Sequence, residues 1–398
     1  MSLARTLLLT ALFAALPGLA HAAAFTVTTT ADAGDAVIDG TCATAAGTCS
    51  LRAAIQEANA TLGLADTINL PAGKYVLKLV GAFEEQCATG DLDIRADLSI
   101  LGAGAASTLV IGKKDRIFDV FDGADVTLSG LTVTKGALGK GRETGGDLQG
   151  AGIFNDGNLT LSDVVVSSNK TTDDGGGIHN IGSIIGTDVT IIKNAAGLDG
   201  GGINHVGVDL RLTRATFAKN KAGDEGGAIQ NIGSPVTLLN VTLSGNSAKG
   251  PGGAINTEGT GPITDIRSAT FVGNKSKETG GAIAAQTALP FITNAIFEKG
   301  KPNNCNTFVG SGGGNFETST ECGFPAGSSG LKKLGLKGLK LNGGLTQTHA
   351  LKDTSPVIDA GVDGSCLATD QRGASRVDVP GVGTTTCDAG AFELVPTN

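Results

Sequence analysis

Between residues 150 and 300, apolar and polar positions alternate in short bursts that recur along the chain. Val189, Ala215, Val241 and Ala269 each stand five residues ahead of an Asn, and Ile191, Phe217, Leu243 and Phe271 stand three ahead. Thr190, Thr216, Thr242 and Thr270 lie between them. A period of two predicts strands with the apolar set inward and Thr outward. The Asn positions are Asn169, Asn194, Asn220, Asn246 and Asn274, spaced by 25, 26, 26 and 28. A second phrase, Gly-Gly-Ala-Ile or a close variant, ends at Ile153, Ile178, Ile203, Ile229, Ile255 and Ile283, spaced by 25, 25, 26, 26 and 28. Two phrases that drift by the same increments mark a genuine internal repeat. The repeat is too short for a strand and a crossover helix, which together need about 30 residues. It therefore predicts an all-β parallel solenoid, about nine coils of ~25 residues stacked at ~4.8 Å over residues 66–300. Stacked Asn amides at a turn can bond to one another and to the turn backbone, so the Asn positions read as a structural ladder.

The flanks break this rhythm and read as caps, which a solenoid needs because its end strands expose unpaired backbone. In 23–65, residues 25–30 form a strand pattern. Ser50 is an N-cap for a short helix whose face carries Leu51, Ile55, Ala58 and Leu62. Residues 301–398 lose the phase and form a C-terminal cap. Residues 1–22 have the order of a secretory signal: Arg5, an apolar run from Leu7 to Leu16, then Ala20-His21-Ala22. That run is too short to span a bilayer, and no later stretch is long enough for a transmembrane helix.

Composition narrows the function classes. Glycine numbers 62 of 398 residues, which disfavours helical bundles, because Gly costs about 1 kcal/mol in a helix interior. A formal charge of −8 with one Tyr and no Trp argues against nucleic-acid binding, which favours basic faces and stacking aromatics. Seven cysteines fall as neighbours Cys42 and Cys49, Cys305 and Cys322, and Cys366 and Cys387, with Cys87 left over. In an exported chain these are expected to pair as disulfides by proximity.

The segment Cys49-Ser-Leu-Arg-Ala-Ala-Ile-Gln-Glu-Ala-Asn59 resembles the signature of CSLREA-domain proteins. Gly-Gly-Ala-Ile paired with Phe-x-x-Asn resembles the repeats of polymorphic outer-membrane proteins. Residues 342–393 resemble the choice-of-anchor Q ending. These resemblances imply a right-handed parallel β-helix exported to the outside or the outer surface of a bacterium, and no defined activity. The signature's Glu is Ala53 here, so the reciprocal half of a Ser-x-x-Glu capping box is missing. Ala53→Glu is accordingly expected to stabilise the helix start.

The candidate chemistry is sparse. Asp174, Asp199 and Glu225 each sit four residues ahead of their Ile, and stacked carboxylates repel unless neutralised, which makes them calcium candidates. No other cofactor is implied. Lys113, Lys114, Asp115 and Arg116 offer bases for a lyase, yet read more simply as a turn before a strand at 117–120. His179 and His205 take opposite faces of their strands, which discourages a metal pair. No catalytic triad or nucleotide loop is present. The expected function is a non-catalytic exported scaffold presenting a repetitive surface to a cell-surface or extracellular glycan or protein. The alternative is a lyase or hydrolase acting on acidic glycans, with calcium as its candidate cofactor.

Overall fold

The computed structural model describes residues 21–395 except 62, 82–83, 140–147, 260–263 and 378–386. The leader proposed at 1–22 lies almost wholly outside them. The recurring alternation is realised as one strand per repeat, each pairing in parallel with the next. The long face runs from Ala24–Thr26 and Asp66–Leu70 through strands such as Ser183–Ile192 and Asp209–Ala218 to Gly310–Gly313. From Asp66–Leu70 onward it has ten rungs among the described residues, hence nine turns of chain. A second face of eight three- or four-residue strands runs from Leu92–Ile94 to Ile283–Ala285. The chain is a parallel β-helix.

The register follows the sequence phrases. Ile178, Ile203, Ile229, Ile255 and Ile283 are successive partners on the short face. Thr190, Thr216, Thr242 and Thr270 are successive partners on the long face. Inward apolar residues merge into one core that runs from Phe25 to Phe324. The Asn ladder is fully buried. The Asn220 Oδ1 accepts the Asn194 backbone N–H and its Nδ2, at 3.0 and 3.1 Å. Its own Nδ2 donates to the Ile191 carbonyl and to Asn246 Oδ1, at 2.8 and 3.0 Å. The same pattern repeats from Asn169 to Asn274.

Each long strand bends at one residue in the left-handed region. Gly130, Asp163, Asp188, Arg214, Asn240, Ser268 and Asn294 occupy this position, with φ between 52° and 61°. The bend divides the long face into two panels.

At the N-terminal end, helix α1 (Leu51–Asn59) plugs the core with Leu51, Ile55 and Ala58. Leu62 lies outside the described residues. Ser50 Oγ accepts the Ala53 N–H at 3.0 Å, as an N-cap does. Ala53 itself has no exposed surface. The expected gain from Ala53→Glu is therefore corrected: the added carboxylate has no solvent to reach and would displace packed neighbours.

Disulfides join Cys42–Cys49, Cys305–Cys322 and Cys366–Cys387, and Cys87 is a buried free thiol. The stack continues beyond residue 300 by one rung, Gly310–Gly313 with Phe316–Glu317. After it, Phe324 covers the end of the core against Phe297. Of the segment read as a C-terminal cap, the described residues 331–377 and 387–395 fold back along the second panel and lie on the Thr file. Thr216 Oγ1 donates to the Gln347 carbonyl, Thr242 Oγ1 donates to Gln371 Oε1, and Thr270 Oγ1 accepts the Ala391 N–H, at 2.6, 2.6 and 2.9 Å. Ile296, Leu351, Val357 and Phe392 form a second apolar cluster beneath this segment. The file is covered at Thr216, Thr242 and Thr270 because these hydroxyls offer hydrogen bonds to a segment that has apolar side chains to bury.

Candidate functional site

The outward middle residues of the short strands form one file: Asp93, Asp119, Phe154, His179, Asn204, Gln230, Asn256 and Ala284. From His179 to Asn256 the file is buried, although it points away from the core. The glycines of the repeat explain this. Gly226 (φ 61°) turns the backbone directly over Gln230, and a Cβ there would meet Gln230 Cα at 2.7 Å. Gly252 does the same over Asn256.

Toward Asp93 the file opens into a cleft of about 250 Å³ lined by Glu84, Asp91, Asp115, Arg116, Phe121 and Phe154, among others. Carboxylate oxygens of Asp91, Asp93 and Asp119 lie within 4.8 Å of one another. Burial, reinforced by its carboxylate neighbours and partly offset by Arg116, raises Asp91 to about 7. Burial and the adjacent Asp91 raise Asp93 to about 8, although Asp93 also accepts the Cys87 N–H at 2.6 Å. Arg116 is held on all sides. It pairs with Asp119, lies 3.5 Å from Asp91, donates to the Gln149 carbonyl at 3.0 Å and stacks 4.8 Å over Phe154. Phe154 in turn stacks on His179 at 5.3 Å. Such a group can share protons or hold a hard cation. The three carboxyls are closer together than the roughly 5–9.5 Å of a glycosidase acid pair. An arginine gripped by carboxylates is also a poor base.

The three calcium candidates of the sequence stack in a column. The Asp199 N–H donates to Asp174 Oδ1 at 2.9 Å, and the Glu225 N–H donates to Asp199 Oδ1 at 2.8 Å. Each aspartate therefore spends an oxygen on the backbone of the next coil. Asp174, Asp199 and Glu225 do not converge on one point as Asp91, Asp93 and Asp119 do. Burial raises Asp199 to about 6, with the Glu225 N–H opposing and Asp174 adding to the shift. Glu225 meets Glu258 instead, and burial together with this like-charged neighbour raises it to about 8. The histidines separate as their spacing predicts: His205 lies beside Asn180, its Nδ1 2.9 Å from Asn180 Nδ2. Burial holds His205 below its ordinary value.

A row of exposed apolar side chains was not anticipated. Ile181, Val206 and Ile232 follow one another on three rungs, the first two just past their short strands and Ile232 at the end of its own. Val208, two residues past Val206, is 67% exposed, and Ile185, four past Ile181, is 55% exposed, whereas Phe291 in the Ile185 column is separated from it by Arg211, Thr237 and Asp265. Their signal was present as an apolar residue after Asn180, His205 and Asn231, which are successive partners on the short face, although Asn155 in the same file is followed by Asp156. It is inconspicuous in a chain already 40% hydrophobic.

The Chlamydia polymorphic membrane protein (Chlamydia_PMP) repeat matches residues 240–258 and 268–286. No match was found among curated proteins. Among solved structures, pectate lyase Pel9A is similar at 13% identity with a TM-score of 0.42, covering 94% of this chain and 97% of that one. No helix among the described residues is long and apolar enough to cross a membrane.

Proposed function

We propose that this chain is an exported, non-catalytic β-helix that makes contact with a cell-surface or extracellular partner through its exposed apolar ridge. The observation that carries the reading is Ile181, Val206 and Ile232 on consecutive rungs, with exposed Val208 two residues past Val206 and exposed Ile185 four past Ile181, since exposed apolar surface of this kind marks an interaction site. The disulfides support residence in an oxidising compartment. The signal-like residues 1–22 support export. The matched repeat, the CSLREA-like segment and the choice-of-anchor Q-like ending support a place at the cell surface.

The test is attachment. Cells lacking the gene should bind surfaces less well. Wild type and Asp93→Asn should both restore attachment, whereas a variant carrying Ile185→Asp and Val208→Asp should not. Full restoration by that double variant would overturn the reading. A second reading, cleavage of acidic glycans in the cleft, draws on the raised Asp91 and Asp93 beside Arg116. Turnover of pectate, alginate or a glycosaminoglycan that disappears in Asp93→Asn would replace the scaffold with an enzyme.

A further inference from the structure

We propose that the corner where the second panel passes into the following turn is a docking surface for a linear acidic polysaccharide. Two columns of residues run along this corner, one on each side of the buried Asn ladder. The column just ahead of the ladder is Lys135, Ser168, Lys193, Lys219, Gly245, Gly273 and Lys299. It is held in step because each backbone N–H from Lys135 to Gly273 donates to a carbonyl of the next rung, at 2.8–3.3 Å. The column just past the ladder is Ala137, Lys170, Ala195, Lys221, Ser247, Lys275 and Lys301, each bridged in parallel to the next. All eight lysines are exposed. The remaining six positions hold only Ala, Ser or Gly, so no acid and no bulky group interrupts the corner. Acids outnumber basic residues 38 to 30 in the chain, so this corner segregates positive charge. Lys299 pairs with Glu298, and the other seven ammonium groups form no ion pair among the described residues.

The backbone supplies an independent observation. All seven residues of the first column are left-handed, with φ between 58° and 65°. Glycine adopts that conformation freely, whereas a lysine there is strained. Gly245 and Gly273 show that glycine serves this turn, yet lysine stands on four of the seven rungs. The fold does not ask for lysine at these positions, and a use for its charge does. The rung of Gly245 and Ser247 has no lysine in either column, and the C-terminal hairpin comes in there. Ser244 Oγ lies 3.0 Å from His349 Nε2, and His349 Nδ1 donates to the Lys337 carbonyl at 2.7 Å. The hairpin strand Leu336–Leu341 carries exposed Lys337 and Lys340, and residues 322–352 hold five lysines and no Asp or Glu. Seven rungs make a straight basic corner of about 29 Å at ~4.8 Å per rung. An extended polyuronate or sulfated glycan carries its anions along a ribbon, one per sugar or per disaccharide, a spacing comparable to one or two rungs of ~4.8 Å. Duplex DNA winds its phosphates away from a straight edge, and single strands want aromatic platforms, which neither column has. Lysines act as hydrated point charges, suited to a run of separate anions rather than to one bidentate group. The corner is distinct from the apolar ridge, so each proposal can fail alone.

The experiment is binding of the oxidised protein to immobilised heparin, polygalacturonate, neutral dextran and duplex DNA over a salt series, paired with thermal unfolding. Wild type should bind heparin, polygalacturonate or both saturably and should not bind dextran. Its affinity should fall by at least about tenfold between roughly 50 and 200 mM salt. The preferred glycan identifies sulfate or carboxylate as the recognised anion. Two variants each place residues that their own column already uses on other rungs: Lys193→Gly with Lys219→Gly, and Lys170→Ala with Lys221→Ala. Each pair should weaken binding by about tenfold at low salt. Neither should lower the unfolding temperature, and the Gly pair relieves two left-handed lysines, so the loss would not be misfolding. Arg211→Gln with Arg267→Gln removes the same charge from the first panel and should change affinity by less than about twofold. No binding of either acidic glycan, unaltered affinity in both lysine pairs, an equal loss in the arginine pair, or tighter binding of DNA than of both glycans would each overturn the proposal.

Discussion

Arg52 joins three parts of the chain through one buried guanidinium. Its Nε donates to Asp32 Oδ1 at 2.7 Å, Nη1 to the Asp91 carbonyl and Nη2 to the Gly90 carbonyl, both at 2.8 Å. Asp32 is itself buried and accepts the Leu79 N–H at 2.8 Å. The Arg of the Cys-Ser-Leu-Arg segment is therefore a clamp between helix α1, the first strand's exit and the loop that forms the cleft wall. Removing the charge strands Asp32 in low dielectric and orphans the carbonyls. Arg52→Met should cost about 3–5 kcal/mol, the usual penalty for breaking a buried pair, read as a lower urea midpoint. Ala53 makes the opposite point. Its N–H already has the Ser50 hydroxyl, so a glutamate there gains at most one backbone bond while forcing a carboxylate into a packed site. Ala53→Glu should lose about 1–3 kcal/mol in the same measurement, and a raised midpoint would show that the side chain escapes to solvent.

The long strand owes its shape to a backbone conformation rather than to a side-chain type, and this limits what its sequence reveals. The Asn ladder and the Ile phrase are legible because the same side chain meets itself at every rung. The bend is not, because Asp188, Arg214, Asn240 and Ser268 share only a φ of 52–57°. Their side chains serve local ends: Arg214 forks onto Asp188 at 2.8 and 2.6 Å, and Asn240 donates to the Thr369 carbonyl at 2.8 Å. The cover over the Thr file was hidden for a related reason: its partners lie more than 100 residues away in a segment without period. The acid cleft escaped notice because Asp91, Asp93 and Asp119 precede the regular repeats, where no phrase aligns them. Ser268 shows the cost of the bend without compensation. It is fully buried in the left-handed region, and its hydroxyl has no partner. Glycine adopts this conformation freely and carries no hydroxyl. Ser268→Gly should raise stability by about 1 kcal/mol, seen as a higher urea midpoint with an unchanged slope.

Among the described residues, burial has lifted neighbouring pairs of carboxyl groups in three regions, besides the single groups Asp163 and Glu317. Asp91 and Asp93 stand at about 7 and 8 in the cleft. Asp199 and Glu225 stand at about 6 and 8 along the turns. Asp388 and Glu393 stand at about 6 and 7 in the C-terminal segment, where Arg376 pairs with Glu393 at 2.8 Å. A carboxyl raised above its unfolded value binds more protons folded than unfolded in the intervening range. Its contribution is complete below about pH 4 and is lost as pH climbs through the folded value. His205 and His349 are held low by burial and act in the opposite direction, but only below about pH 6.5, where the unfolded imidazoles charge. Above about pH 6.5 the unfolded imidazoles are less than half charged and fade out, so the more numerous carboxyls dominate. Stability in chelator should therefore fall as pH rises from about 6.5 to 8, with Asp91, Asp93, Glu225 and Glu393 contributing most. Urea midpoints measured at half-unit steps should show that slope. The combination Asp93→Asn with Glu225→Gln should flatten it, because neither amide titrates. A midpoint that held steady or rose from pH 6.5 to 8 in wild type would mean that water or ions reach these carboxylates and keep them charged in the folded chain.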